Sequence, residues 1–457
     1  MGLFECAIDI LCTRQATTPM GTVINIRPKV ISSTATTRNT SLQIKALYDR
    51  SVNIFPKNGI NYDDSFFAFY KREILNGEEI FLSKRKYVGI LPTGRTAMFV
   101  QVRLAACCFV HRAVFELENL DRIADKDYIQ AADYYYSLIS YFNSLKEVGT
   151  TDVQFYTEFT KYSRRLFRRV LRPGKMLQCF YAFDSSMHKE ELTGRLSGTE
   201  VVNALNKVQI NWTPEKRLPY VKDGVNQPAM TPPDLILATN MISVGIDVSR
   251  FNTMIINSMP RNKAEYIQAS SRVARDELGV VFTLHNPFRA RDLSHFERFR
   301  EFHEKLYYYV EPISITPFSS KSIERYMPLL LGAITRHKIP EVSGNQDAGN
   351  LTDNQIKQIS LLLEDYFNTR LQRSQLENDL QLREVFTDES LKNIKKFIEG
   401  AFAEWKSKEP SKYSHDRNAL YIDTDSYDEE KENTHWVVPK SVRTVPAGSV
   451  IKVNNEI

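Results

Sequence analysis

Three side chains in this sequence are spaced to handle a phosphate. Gln268, Arg272 and Arg275 fall at i, i+4 and i+7, so on a helix they would project from one face. Guanidinium groups stay charged and grip phosphate oxygens in a fork, while a glutamine can orient a water. An arginine aimed at a transferring phosphoryl group contributes roughly 10³–10⁵ in rate. An isolated Gln-x-x-x-Arg-x-x-Arg is usually only a solvated helix face, so the surrounding pattern decides. Leu235 to Ala238 read as a strand buried on both faces. A polar loop follows, with Gly245 and Asp247 where the chain could approach a ligand closely. Thr253 to Ile256 predict a second strand. Pro260 and Asn262 then open a helix, with Asn262 as N-cap and Glu265 completing a capping box. Strand, loop, strand and helix in that order favour a ligand site over a bland face.

A second cluster is purely basic. Lys161 to Lys175 read KYSRRLFRRVLRPGK, with seven basic residues and no acidic one. On a helix, Arg164, Arg165, Arg168, Arg169 and Arg172 line one side, while Leu166, Phe167, Val170 and Leu171 pack inward. Such a run is commonly a solvated face. Without a compensating carboxylate it also suits tracking along a phosphate backbone. Gly89 to Thr96, GILPTGRT, has the spacing of a phosphate-binding loop but carries Arg95 in the lysine position. A planar guanidinium does not replace a compact ammonium between phosphates, so this loop reads as a decoy.

Taken together, ATNMISVGID and YIQASSRVAR resemble motifs V and VI of superfamily 2 helicases and translocases. In particular they resemble the helicase component of DISARM-type anti-phage defence systems. The resemblance implies that Thr239 touches a nucleic-acid phosphate, that Gly245 and Asp247 lie by the nucleotide, and that Gln268, Arg272 and Arg275 form the catalytic set. Ser271 and Ala274 stand where the broader superfamily has glycines. STAT, Ser33 to Thr36, resembles motif III, in which Thr34 and Thr36 would couple the ATP site to the nucleic-acid track. YFNS resembles motif IV, placing Asn143 and Ser144 near nucleic acid. ELTGRL, Glu191 to Leu196, resembles the short motif before motif V, so Thr193 and Arg195 would meet backbone phosphates. The likeness extends through Arg291 to Ser319, where Leu293, Phe296, Phe299, Phe302 and Leu306 predict one amphipathic helix.

The chain's 457 residues suffice for two or three domains, and its net charge of +5 is compatible with nucleic acid. Five cysteines without metal spacing suggest thiols in a reducing compartment, and a cytoplasmic location is expected. No metal-binding cluster and no membrane association are expected. The expected fold is α/β, a RecA-like parallel-sheet helicase lobe with a helical C-terminal extension. Residues 1–50 would be the tail of a first RecA-like lobe, 51–310 a second lobe, and 311–457 a helical region with an acidic loop and a β-rich tail.

A helicase ATPase needs a glycine-rich loop with lysine and a strand-borne Asp-Glu. Asp276–Glu277 and Asp388–Glu389 follow no apolar strand, and neither half of that site is present in the sequence. The reading is the C-terminal portion of an ATP-dependent helicase or translocase of the ATP-hydrolase class. It would use ATP with Mg²⁺ in a site completed by a missing N-terminal lobe. Its partners would be nucleic acid, with DNA favoured over RNA, and that lobe or other defence-system proteins. The alternatives are a non-catalytic nucleic-acid-binding module derived from a helicase half, and a self-sufficient NTPase using Gly89 to Thr96.

Overall fold

The computed structural model describes residues 2–33, 38–57, 60, 69–119, 121–170, 187–196, 198–215, 231–242, 248–312, 315–414, 418–423 and 436–438. The chain divides into two compact units. One comprises Met1–Thr34, Arg38–Lys57 and Pro312–Ile457, and the other Ala35–Thr37 and Asn58–Glu311.

The second unit is built on a six-stranded sheet. Its labelled elements run β1 (Arg85–Ile90), α1 (Ala97–Glu118), α2 (Lys126–Tyr134), β2 (Leu138–Phe142), α3 (Leu145–Gln154), α4 (Thr160–Val170), β3 (Lys189–Leu192), α5 (Gly198–Val208), β4 (Leu235–Ala238), β5 (Thr253–Asn257), α6 (Lys263–Ser270), β6 (Gly279–Leu284), α7 (Ala290–Glu297) and α8 (Phe299–Glu304). The strand order is β1-β6-β5-β2-β4-β3, and every pairing is parallel. This is the α/β, RecA-like sheet the sequence predicts. LISYF, LILA and TMIIN are buried at every position because helices cover both faces.

On one face Leu138, Phe142, Leu235 and Ile255 pack against Val102, Ala105 and Ala106 of α1 and against Val148 of α3. On the other, Ile139, Ile236, Met254 and Val281 meet Ala204 and Val208 of α5 and Tyr266 and Ala269 of α6. Helix α1 is long and apolar enough to cross a membrane by length and composition, and here Val102, Ala105 and Ala106 belong to this core while Val110, Ala113, Val114 and Leu117 pack in a second cluster. The predicted Leu293–Leu306 helix is interrupted. Arg298, at φ −108° and ψ 27°, leaves helical geometry and separates α7 from α8, so only Phe302 of that stripe is fully buried.

The first unit is helical. Gly2–Cys12, Ser320–Lys338, Asp353–Gln375 and Asp388–Lys408 share one core containing Leu3, Cys6, Met327, Leu331, Leu363, Phe367, Phe402 and Trp405. Thr352 and Gln355 form a capping box at the start of Asp353–Gln375. Asp9, buried in the first helix, receives Arg27, Arg50 and the Tyr366 hydroxyl. Arg370 donates to the carbonyls of Ala46 and Leu47 at the end of helix Thr40–Tyr48, where cations offset the helix dipole.

Candidate functional site

Parallel strands present all their C-terminal ends along one edge of a sheet, and open α/β folds commonly bind ligands there. Asn143, one residue past β2, donates from Nδ2 to the carbonyls of Asn257 (2.9 Å) and Ser258 (3.1 Å), which tie the ends of β2 and β5 together. Ser144 is exposed and caps α3 by accepting the Glu147 N–H at 3.3 Å. Thr239, one residue past β4, is buried and donates its N–H to the Leu192 carbonyl at 3.2 Å. Thr193, one residue past β3, is fully buried, and its hydroxyl donates to the Glu191 carboxylate. The Arg195 guanidinium grips that same carboxylate, with Nε at 2.5 Å, and the carboxylate pushes its pKa above the usual arginine value. Strand pairing therefore brings Thr193, Thr239 and Asn143 onto adjacent strand ends.

Arg164, Arg165, Arg168 and Arg169 stand exposed on α4 while Phe167 is buried. Phe167 packs with Val110, Ala113, Val114 and Leu117 of α1, supported by Leu166 and Val170. The basic face and the apolar anchor thus divide as their spacing predicts.

Gln268, Arg272 and Arg275, expected to meet phosphate, lie toward the opposite edge, and their geometry corrects the expected helical stripe. Helix α6 ends at Ser270, so Arg272 and Arg275 do not share a helical face with Gln268. Arg272 and Val273 donate to the carbonyls of Ala269 and Ser270 in tightened turns, and Ala274 turns left-handed at φ 58°. Its N–H then goes to the Phe251 carbonyl at 2.9 Å. Asn262 occupies the N-cap position without a side-chain hydrogen bond. Glu265, expected to close a capping box, instead accepts from the Tyr141 hydroxyl at 2.5 Å.

Arg85, at the start of β1, donates from Nε and Nη2 to the Val273 carbonyl at 2.9 and 2.7 Å, and more distantly to Ser271. Lys84 reaches the Asp276 carbonyl at 2.6 Å. Tyr134 donates its hydroxyl to Asp276 at 3.2 Å, and Tyr135 donates its own to the Leu278 carbonyl. All these contacts gather at the N-terminal ends of β1, β2 and β6. Gln268, Arg272 and Arg275 are each partly exposed, and burial pulls the Arg272 pKa below the usual arginine value. Gly279 allows this close passage, since an added Cβ would stand 2.7 Å from the Asn252 carbonyl oxygen and 2.8 Å from Ala274 Cβ.

Sequence reasoning missed Arg85, Lys84 and Glu191. A charge beside an apolar strand or a local Glu-x-x-x-Arg spacing does not reveal which carbonyl or hydroxyl it will reach. Thr34, Thr36, Arg172, Gly245 and Asp247 lie outside the described residues. Among the described residues no cluster of His, Cys, Asp or Glu could hold a metal ion. In the loop Gly89–Thr96, Gly94 has φ 74°, Thr96 caps α1 at 3.2 Å, and Arg95 lies over the Phe99 ring at 5.3 Å. A Cβ on Gly89 would meet the Phe299 ring at 2.7 Å, so that glycine makes room for an aromatic side chain.

Residues 223–277 match the model of the helicase conserved C-terminal domain. The chain is 32% identical over 332 residues to the DISARM protein DrmA of Bacillus paralicheniformis, across 72% of this chain and 26% of the relative. It therefore spans about a quarter of that relative's length. Among solved structures it is similar to the DUF1998 helicase MrfA bound to DNA and AMPPNP, at 12% identity and a TM-score of 0.35, covering 67% of this chain and 31% of that one. It is also similar to domain 2 of the DEAD-box helicase Mss116p bound to an RNA duplex, at 12% identity and a TM-score of 0.27, covering 68% and 86%. The match to the helicase C-terminal domain and the identity with a DISARM protein agree with the motif resemblance.

Proposed function

We propose that this chain is the C-terminal portion of an ATP-dependent nucleic-acid helicase or translocase, acting with an ATP-binding lobe that other residues supply. The observation carrying this reading is the separation of two chemistries on one sheet. Hydroxyl and amide groups of Thr239, Thr193 and Asn143 follow the C-terminal strand ends, while Arg272 and Arg275 occupy the turn at the N-terminal ends. One rigid sheet can then answer to a nucleotide at one edge and a strand at the other.

Gln268, Arg272 and Arg275 are donors suited to phosphate oxygens, and Gly245 and Asp247 belong to the same proposed nucleotide site. When bound, ATP with Mg²⁺ supplies the phosphoanhydride whose cleavage drives movement, and the partner lobe holds the metal. Arg275 stabilises charge that develops as the phosphoryl group transfers, and Gln268 orients water. The four exposed arginines of α4 hold the backbone of the nucleic acid, with DNA preferred, in a phage-defence setting. Thr34 and Thr36 couple the two sites, residues 1–50 extend the partner lobe, and the protein works in the cytoplasm.

ATPase kinetics of the reassembled motor test this. Arg275→Ala should lower kcat by about 10²-fold with a smaller effect on KM, and Arg275→Lys should rescue little. Near-normal turnover in both variants would leave the turn with a purely structural role and defeat the proposal.

A further inference from the structure

A cavity of about 390 Å³ lies in the second unit between α1, α2 and the sheet. Ala105, Phe109, Phe115, Ala132, Tyr135 and Phe282 form much of its wall. Neither Thr239 nor Arg275 lines it, and neither the sequence motifs nor the proposed motor chemistry uses it.

Its buried charged groups are already engaged, Glu116 accepting the Trp212 indole N–H at 3.1 Å, while the lining His111 is exposed to solvent. Arg112 donates to Asp234 at 2.6 Å and to the Tyr136 carbonyl at 2.5 Å. The same guanidinium lies over the rings of Tyr136 and Phe109, at 4.0 and 4.5 Å. Asp234 also accepts the His188 N–H at 2.9 Å. Burial pushes the Cys108 thiol up to about 12, so that side chain adds no charge to the wall at neutral pH. A charged guest would lose its hydration without gaining a counter-ion.

The space is partly open, with Phe115 and Tyr135 of its wall exposed, and apolar walls left without a guest forfeit the dispersion contacts that a fitting one would supply. Water does not fill such a space well, whereas aromatic guests do. The volume also falls in the range of small-molecule pockets, roughly 300–1,000 Å³.

We infer that this cavity binds a small, neutral, aromatic molecule, clasped between α1 and α2 over the sheet. This goes beyond the motor reading and does not depend on it. Occupancy would also bear on the arginine turn, since α2 and the residue after it hold Asp276 and Leu278 through Tyr134 and Tyr135.

The test uses the whole purified chain with N-phenyl-1-naphthylamine, an uncharged probe whose emission rises on leaving water. Its counterpart is 1-anilinonaphthalene-8-sulfonate, nearly the same ring frame with an anionic group. The neutral probe should bind saturably at one site, and the sulfonate at least about tenfold more weakly. The Met187 methyl carbon, on the cavity wall, should shift by ring current at saturation, its resonance being identified by its loss in Met187→Leu. Ala132→Phe, which fills the space, should weaken the neutral probe at least about tenfold. An unmoved Met187 resonance at saturation overturns the proposal whether or not Ala132→Phe folds. Equal affinity for both dyes, or unchanged affinity in a folded Ala132→Phe, overturns it as well.

Discussion

Arg85 and Val273 are joined by two hydrogen bonds from one guanidinium to one carbonyl, at 2.9 and 2.7 Å. The first residue of β1 thereby fixes the turn that carries Arg272 and Arg275. Arg85→Ala should strip that carbonyl of its partner at a cost of about 1–3 kcal/mol. Hydrogen exchange at the Val273 to Arg275 amides should quicken, while amides of α4 stay as protected as before. Arg85→Lys should recover only part of the protection, because an ammonium lacks the fork.

Ala274 sits at φ 58°, a conformation in which a Cβ crowds the following carbonyl. Ala274→Gly should raise unfolding stability by about 1 kcal/mol, read from urea denaturation. Ala274→Val should lower it, because a β-branched side chain fits this backbone worse and Gly279 packs closely against it. The glycine of the broader helicase pattern at this position now has a mechanical reason.

The exposed arginines of α4 should govern affinity without governing sequence preference. Replacing Arg164, Arg165, Arg168 and Arg169 with alanine should weaken binding to all nucleic-acid sequences alike. The slope of log affinity against log salt should flatten by up to about four counter-ions. An unchanged slope would make α4 a helix held only by Phe167 and its neighbours.

His285 is 1% exposed, and neither ring nitrogen has a hydrogen-bond partner among the described residues. Burial lowers its pKa to about 4 from an ordinary 6.5, with the nearby His295 and His303 adding to the effect and Asp292 opposing it. The unfolded imidazole takes a proton near 6.5, and the folded one only near 4. Between those values the unfolded state binds more protons, so stability is lost as pH falls through that window. The loss approaches about 3 kcal/mol for this group alone. His285→Leu should flatten urea-unfolding stability between pH 6.5 and 4.5. His295 and His303, lowered in the same direction, would leave a residual slope.

Part of the sheet was legible because LILA and the Met254–Ile256 run are unbroken apolar stretches, a pattern that a strand covered on both faces buries. The α4 face was legible for a similar reason, since Phe167 and the arginines separate by helical spacing alone. The end of α6 was not. Its sequence continues in helical rhythm through Arg275, and the stop comes from the Phe251 carbonyl and the Arg85 side chain, both distant in sequence. Nor does any local pattern join Gly2–Cys12 to a core shared with Trp405.

The strand order β1-β6-β5-β2-β4-β3 also governs how the chain assembles as it leaves the ribosome. None of β1, β2 and β3 is a neighbour of another, so no pair in this sheet can zip until β4 emerges. Until then three strands wait with unpaired edges, among them β2, which is buried at every position in the finished sheet, a state prone to aggregation. Strand β1 waits longest, because its neighbour is β6, the last strand of the sheet to be made. A nascent chain halted before Leu235 should therefore remain a chaperone client, and one halted after Leu284 should become protease-resistant.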